Sequence, residues 1–149
     1  MKKVFFDSSV IIAAVGSKTG ASARILSYCR KQKIEGYISE YVLLESKKNV
    51  RKKFNEIQKQ RFNALILKSK LIVIEDPNVE IVTQYVDIIS AKDTPVLAAA
   101  HILKVDYLIT HNTKDFMKPS VLQRVHPIKI MTPKKCVYHL KKCLADRCK

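Results

Sequence analysis

Acidic residues are scarce in this chain. Thirteen Asp and Glu stand against 28 Lys and Arg in 149 residues, a formal net charge of +15 at pH 7. So large an excess on so short a chain is self-repulsive unless an anion offsets it, and phosphate backbones are the commonest such anion. An acidic protein or an anionic membrane surface would satisfy the same charge. Long apolar runs are also missing. The longest, Val10 to Val15, falls far short of the roughly 20 residues that a membrane span requires, so no spanning helix is expected. The basic start Met1-Lys2-Lys3 meets Asp7 before an apolar signal core develops, which points to an intracellular, cytoplasmic protein. Nor is there a disulfide framework: Cys136, Cys143 and Cys148 crowd the last fourteen residues, with Cys29 far upstream, so reduced thiols are expected. The spacing of these cysteines and His139 matches no standard zinc pairing. Repeats, linkers and low-complexity segments are absent too. With 47% hydrophobic residues the chain can fill a core, and residues 1–149 read as one domain.

Short apolar runs alternate with helical patterns. Val4-Phe5-Phe6 reads as a strand, Val10 to Ala14 as the helix after it, and Ala21 to Lys33 as a second helix ended by Gly36. Tyr37-Ile38-Ser39 is a minimal strand, with Ser39 suited to cap a helix from Glu40 that buries Val42, Leu43 and Val50. Leu71 to Ile74 reads as a buried strand, Asn78 to Ile89 as a helix, and Asp93-Thr94-Pro95 as the start of another. Tyr107-Leu108-Ile109 and Ile128 to Met131 are further strands, separated by the polar segment Thr110 to Asp115 and a short helix near Val121. A helix from about Lys134 to Leu144 follows. Such alternation predicts a three-layer α/β/α fold with a mainly parallel sheet, whose site lies beyond the carboxyl ends of the strands where the strand order reverses.

Four of the few carboxylates fall where that edge is expected. Asp7 directly follows the first strand, Asp115 follows the Tyr107 strand by a short loop, Asp93 stands at a helix start, and Glu45 lies six residues past Ser39. Taken singly, each has an ordinary alternative: a turn start for Asp7, a solvated helix face for Glu45, helix caps for Asp93 and Asp115. Brought together in a poorly solvated cleft, they would take up protons or bind a cation, and oxygen-only ligands select a hard ion such as Mg²⁺ or Mn²⁺.

The surrounding blocks resemble the PIN-domain nucleases, in particular their prokaryotic VapC-related branch. They are Val4-Phe5-Phe6-Asp7-Ser8-Ser9-Val10, Ile38-Ser39-Glu40-Tyr41-Val42-Leu43-Leu44-Glu45, Asp93-Thr94-Pro95-Val96-Leu97-Ala98, and Leu108-Ile109-Thr110-His111-Asn112-Thr113-Lys114-Asp115-Phe116. The resemblance implies a PIN-like fold and a Mg²⁺- or Mn²⁺-dependent endoribonuclease in which Asp7, Glu45, Asp93 and Asp115 hold metal and orient water. Ser9, Thr110 and Asn112 would lie beside the substrate. It also implies a cognate antitoxin, and such toxins commonly form homodimers. Relatives often have asparagine where Ser9 stands and a further acidic residue near Asn112, a departure that bears on a second metal ion.

Nine Lys or Arg lie between Lys47 and Lys70 against Glu56 alone, and Lys47, Lys48 and Arg51 come soon after Glu45. That run fits an RNA clamp or, more plainly, a solvated helix face. His111 sits in the fourth block and could touch substrate. An RNA-processing nuclease without an antitoxin would show the same four blocks, and two other functional classes fit part of the pattern. One is a nucleic-acid-binding module with a degenerate metal site. The other is a phospho-receiver domain, which calls for an acidic pair near the N-terminus where Asp7 stands alone.

Overall fold

Val4, Phe5 and Phe6 are apolar in succession rather than alternation, the pattern of a strand covered on both faces, and all three are fully buried. They belong to β1 (Lys3–Phe6), the central strand of a parallel sheet in the computed structural model, which describes residues 1–147. Cys148 lies outside the described residues. The other strands are β2 (Glu35–Ser39), β3 (Ile72–Ile74), β4 (Tyr107–Ile109) and β5 (Lys129–Met131), in the order β3-β2-β1-β4-β5. Every neighbouring pair is parallel. Helices cover both faces, giving the three-layer α/β/α architecture that the alternation predicts.

The chain leaves β1, builds outward through β2 and β3, and returns to the other side of β1 with β4. The order therefore reverses between β1 and β4, and the crevice at their carboxyl ends is where Asp7 and Thr110 emerge. Phe6 pairs with Ile109, so the two residues that follow are level with each other.

α1 (Ser8–Gly16) and α2 (Ala21–Arg30) follow β1; α3 (Glu40–Lys53) follows β2, with the Ser39 hydroxyl accepting from the Val42 N–H as expected of a cap. The basic run is then split. Asn55 and Gln58 form a capping box that starts α4 (Glu56–Lys68) as a separate helix. The remaining helices are α5 (Val79–Val82), α6 (Thr94–Leu103), α7 (Thr113–Phe116), α8 (Pro119–Val125) and α9 (Pro133–Arg147).

Three expectations require correction. The Leu71 to Ile74 segment is a strand but not a buried one: β3 is a three-residue edge strand, with Ile72 and Val73 40% and 42% exposed. Its β-branched residues favour extended backbone whichever position in the sheet they take. Asn78 to Ile89 is not one helix. Asn78 caps α5, but after Val82 the chain tightens into a 3₁₀ turn, Thr83–Tyr85, with the Thr83 hydroxyl bonded to the Glu80 carbonyl. The β-branched run of Val79, Ile81, Val82 and Thr83 lowers helix propensity there. Nor does Gly36 stop the second helix. α2 ends at Arg30, the turn is made by Gln32 at φ 58°, and Gly36 lies within β2.

Gly36 is needed for close packing. A Cβ there would stand 2.6 Å from Cys29 Sγ and 2.8 Å from Leu71 Cδ2. Replacing Gly36 by Ala should lower stability by about 1–3 kcal/mol, the usual cost of overpacking, measured as a drop in the urea midpoint at unchanged slope. An unchanged midpoint would show that α2 can ride away from the sheet freely.

Candidate metal centre

Asp7 ends β1 and caps α1, accepting the Ser8 N–H on Oδ1 at 2.8 Å. Its other oxygen, Oδ2, accepts the Ser9 hydroxyl at 2.9 Å and the Thr110 hydroxyl at 2.8 Å. Thr110, fully buried past the end of β4, also accepts the Asn112 N–H at 2.9 Å, while Ser9 Oγ accepts the His111 N–H at 3.1 Å. Thus the turn after β4 is fastened to the turn after β1. Asp7 serves both as a cap and as the centre of this network.

Asp93 stands at the cap position of α6, but its side chain makes no capping bond. It is 6% exposed and accepts instead from the Ser90 hydroxyl at 2.8 Å and from Asn112 Nδ2 at 3.3 Å, both on Oδ2. Asp115, on α7, accepts from the same Asn112 amide nitrogen at 3.0 Å, and Lys118 Nζ lies 3.9 Å from its Oδ1. Two carboxylates facing one terminal group require that group to be the NH₂ end, which fixes the amide's orientation.

Glu45 reaches the cluster from α3. Burial is the main cause holding its carboxyl above the ordinary range; the charge of Asp7 adds to this, as does that of Asp93, while the Ser8 hydroxyl and Lys92 pull the other way. Burial likewise raises Asp93, opposed by the Ser90 hydroxyl and Lys92 and reinforced by Asp7 and Asp115. Asp7 and Asp93 thus act on Glu45, and Asp7 and Asp115 act on Asp93. Among the described residues, however, no three His, Cys, Asp or Glu side chains are gathered into a ready-made metal-binding group. Ser9 and Thr110 occupy one oxygen of Asp7, and Asn112 one oxygen each of Asp93 and Asp115.

The donor set nonetheless fits a hard divalent cation. It is composed of carboxylate oxygens alone and is partly desolvated, although Lys92 offsets part of the repulsion at Glu45 and Asp93 and Lys118 stands beside Asp115.

Of the basic candidates, Lys47, Lys48 and Arg51 are all exposed on α3. Helical spacing separates them: Lys48 is three residues beyond Glu45 and shares its face, whereas Lys47 and Arg51, two and six beyond, point elsewhere. Lys52, seven beyond, returns to the Glu45 face. His111 is exposed with its Nε2 3.1 Å from Ser22 Oγ, and His101 is instead a structural partner of Tyr85 Oη at 2.6 Å.

Sequence reasoning passed over Tyr41, Ser90, Lys92 and Lys118. Tyr41 lies one turn before Glu45 and donates its hydroxyl to the Lys92 carbonyl at 2.8 Å, tying α3 to the approach of Asp93. Its position four residues before Glu45 was the available signal. Ser90 and Lys118 had the same kind of signal, each three residues from an aspartate.

Two of the molecule's clefts, of about 370 Å³ each, are lined by none of the four carboxylates. One of them is lined by Ala14 and Lys18, by Leu26 and Arg30 of α2, and by Arg61 and Leu65 of α4.

A doubly wound sheet with carboxylates at its switch point defines a small α/β protein with an acidic centre. A family model for the PIN domain matches residues 3–114, and the chain belongs to that family. Among solved structures, it is similar to Rickettsia felis VapBC2 bound to a DNA fragment from its promoter: TM-score 0.63, 20% identity, covering 87% of this chain and 98% of that one. DNA-bound VapBC from Salmonella typhimurium gives TM-score 0.64 at 16% identity, over 89% and 99% of the two chains. The sarcin-ricin loop cleaving toxin VapC20 of Mycobacterium tuberculosis gives 0.54 at 15% identity, over 70% and 86%. At these identities the likeness is one of fold. No curated protein matches the chain in sequence.

Proposed function

We propose that this protein is a divalent-metal-dependent endoribonuclease and the toxin of a toxin-antitoxin pair. The observation that carries the reading is the convergence of Asp7, Glu45, Asp93 and Asp115 at the β1/β4 switch point, with burial and mutual charge raising Glu45 and Asp93. Repulsion that the protein's own donors leave standing is what a bound cation relieves. The fold of VapC structures and membership of the PIN family support the same class.

Each residue then has a role. Asp7, Glu45 and Asp93 hold Mg²⁺ or Mn²⁺, with Asp115 completing the acidic rim. Such an ion, when bound, lowers the pKa of water and stabilises charge on a phosphoryl oxygen. Ser9 and Thr110 hold the Asp7 carboxylate in one orientation. Tyr41 fixes the Asp93 approach against the helix bearing Glu45. The exposed cations of α3 meet the phosphate backbone, as the +15 charge favours. A cognate antitoxin would cover the acidic cleft, and a homodimer is part of the same reading.

The test is cleavage of a mixed pool of folded and unfolded RNAs with Mg²⁺ or Mn²⁺ and with EDTA. Cutting should require the metal and should vanish in Asp7→Asn. RNA binding without cutting, insensitive to both metal and that substitution, would make the protein a binding module with a degenerate site.

A further inference from the structure

On the ribonuclease reading just given, we propose that the RNA strand leaves the acidic centre along two adjoining clefts between α1, α2 and the start of α9, where His111 Nδ1, Lys134 and Lys18 take its phosphates. The first cleft, of about 370 Å³, is walled by Ser22 of α2, by His111, and by Thr132 and Lys134 at the start of α9. The second, of about 250 Å³, holds Lys18 and Arg24, and the two adjoin because Gly20 lines both. Neither is lined by an Asp or Glu, nor by any residue of α3. Lys18, Arg24 and Lys134 are exposed and make no ion pair with a carboxylate among the described residues. Three unpaired cations with no carboxylate between them make a surface for an anion.

His111 joins these clefts to the centre. Its backbone N–H donates to Ser9 Oγ, and that hydroxyl donates to Asp7 Oδ2, so the residue stands two hydrogen bonds from the carboxylate that ends β1. Ser22 then decides which ring nitrogen carries the proton. Its hydroxyl is on a residue only 4% exposed, and its one partner among the described residues is His111 Nε2, at 3.1 Å. A buried hydroxyl is satisfied by donating its proton, which makes Nε2 the acceptor and puts the ring proton on Nδ1. Nδ1 has no partner among the described residues, and His111 is exposed, so that N–H remains for an oxygen of the substrate. The clefts begin beside the centre where a phosphodiester would be cut, and they continue as hydroxyl, imidazole and ammonium groups. Those are the donors that position a phosphate backbone, which favours RNA over an acidic protein segment as the occupant.

Binding of a labelled single-stranded RNA to the full chain in EDTA, followed by anisotropy over a range of salt, tests the path. Lys18→Gln with Lys134→Gln should weaken binding about tenfold at low salt and flatten the salt slope by about 1.4. Lys3→Gln with Lys129→Gln removes the same charge from the amino edge of the sheet, where β1 and β5 begin, and should change both much less. His111 is tested by shape. His111→Asn keeps an amide N–H close to the place of Nδ1 and should bind as the wild type does. His111→Gln carries its amide toward the place of Nε2 and should bind about fivefold more weakly at an unchanged salt slope, since a neutral donor releases no counterion. Equal losses in the two lysine pairs, or a wild type that does not bind the RNA, would overturn the path, and equal binding by the two His111 variants would overturn the assignment to Nδ1. A wild type that binds RNA but cuts none with Mg²⁺ or Mn²⁺ would overturn the nuclease reading instead, with the lysine pairs still deciding the path.

Discussion

Replacing Asp93 by Asn is expected to abolish RNA cleavage and, at the same time, to make the metal-free protein more stable. Outer partners of metal ligands are alone worth roughly 10–100-fold in activity, so removing one of the proposed ligating carboxylates should cost at least about 100-fold. The gain in stability follows from the same geometry. Asp93 is 6% exposed and its carboxyl is raised by burial, with Asp7 and Asp115 adding repulsion. An amide oxygen can still accept from Ser90 and Asn112, and the charge is gone. Relief of one unfavourable charge is worth on the order of 1 kcal/mol.

The pH dependence has a definite sign. With its carboxyl raised in the folded state, wild-type Asp93 holds more proton folded than unfolded across the interval between the ordinary and the raised value, so stability falls as pH rises through that interval. The Asp93→Asn variant has no such dependence at this position. Its advantage in EDTA should therefore be full above the raised value and disappear below the ordinary carboxylate range, as read by thermal melts of the two proteins side by side. A variant that cuts normally, or that melts below the wild type at pH 7 in EDTA, would remove Asp93 from the proposed centre.

Replacing Lys48 and Lys52 by Gln is expected to weaken RNA binding about tenfold at low salt and to flatten the salt slope by about 1.4, as for two lost contacts to a single strand. Both share the Glu45 face of α3, one and two turns further on. Replacing Lys47 and Arg51 removes the same charge from other faces and should change the slope much less. Fluorescence anisotropy with a labelled single-stranded RNA in EDTA separates binding from cutting. Equal losses in the two double variants would reduce the clamp to a diffuse effect of the +15 charge.

What the sequence made legible was local. A three-residue apolar run ended by Asp7, a serine before a helix, and Asp-Thr-Pro at a helix start each carry their signal in adjacent residues, and the alternation of elements dictates a parallel sheet. The order of the strands is not written in the strands themselves. Ile72-Val73-Ile74 has the composition of a central strand, and its edge position follows only from how the other four pair. Asn112 looked like a missing carboxylate, and that its amide bridges two others depends on a meeting across nineteen residues. Tyr41 escaped notice because its partner is the Lys92 backbone carbonyl, which any residue at position 92 would present.

The bond from Thr110 to Asp7 spans 103 positions. A growing polypeptide displays Asp7 first, and the hydroxyl that aligns its carboxylate follows 103 residues later, with the Asn112–Asp115 pair beyond it. Until β4 docks beside β1, a late, long-range step in a fold of this topology, Asp7 keeps its local bonds to Ser8 and Ser9 alone. On the proposed reading, the acidic centre is incomplete until Asp93 and Asp115 have also emerged.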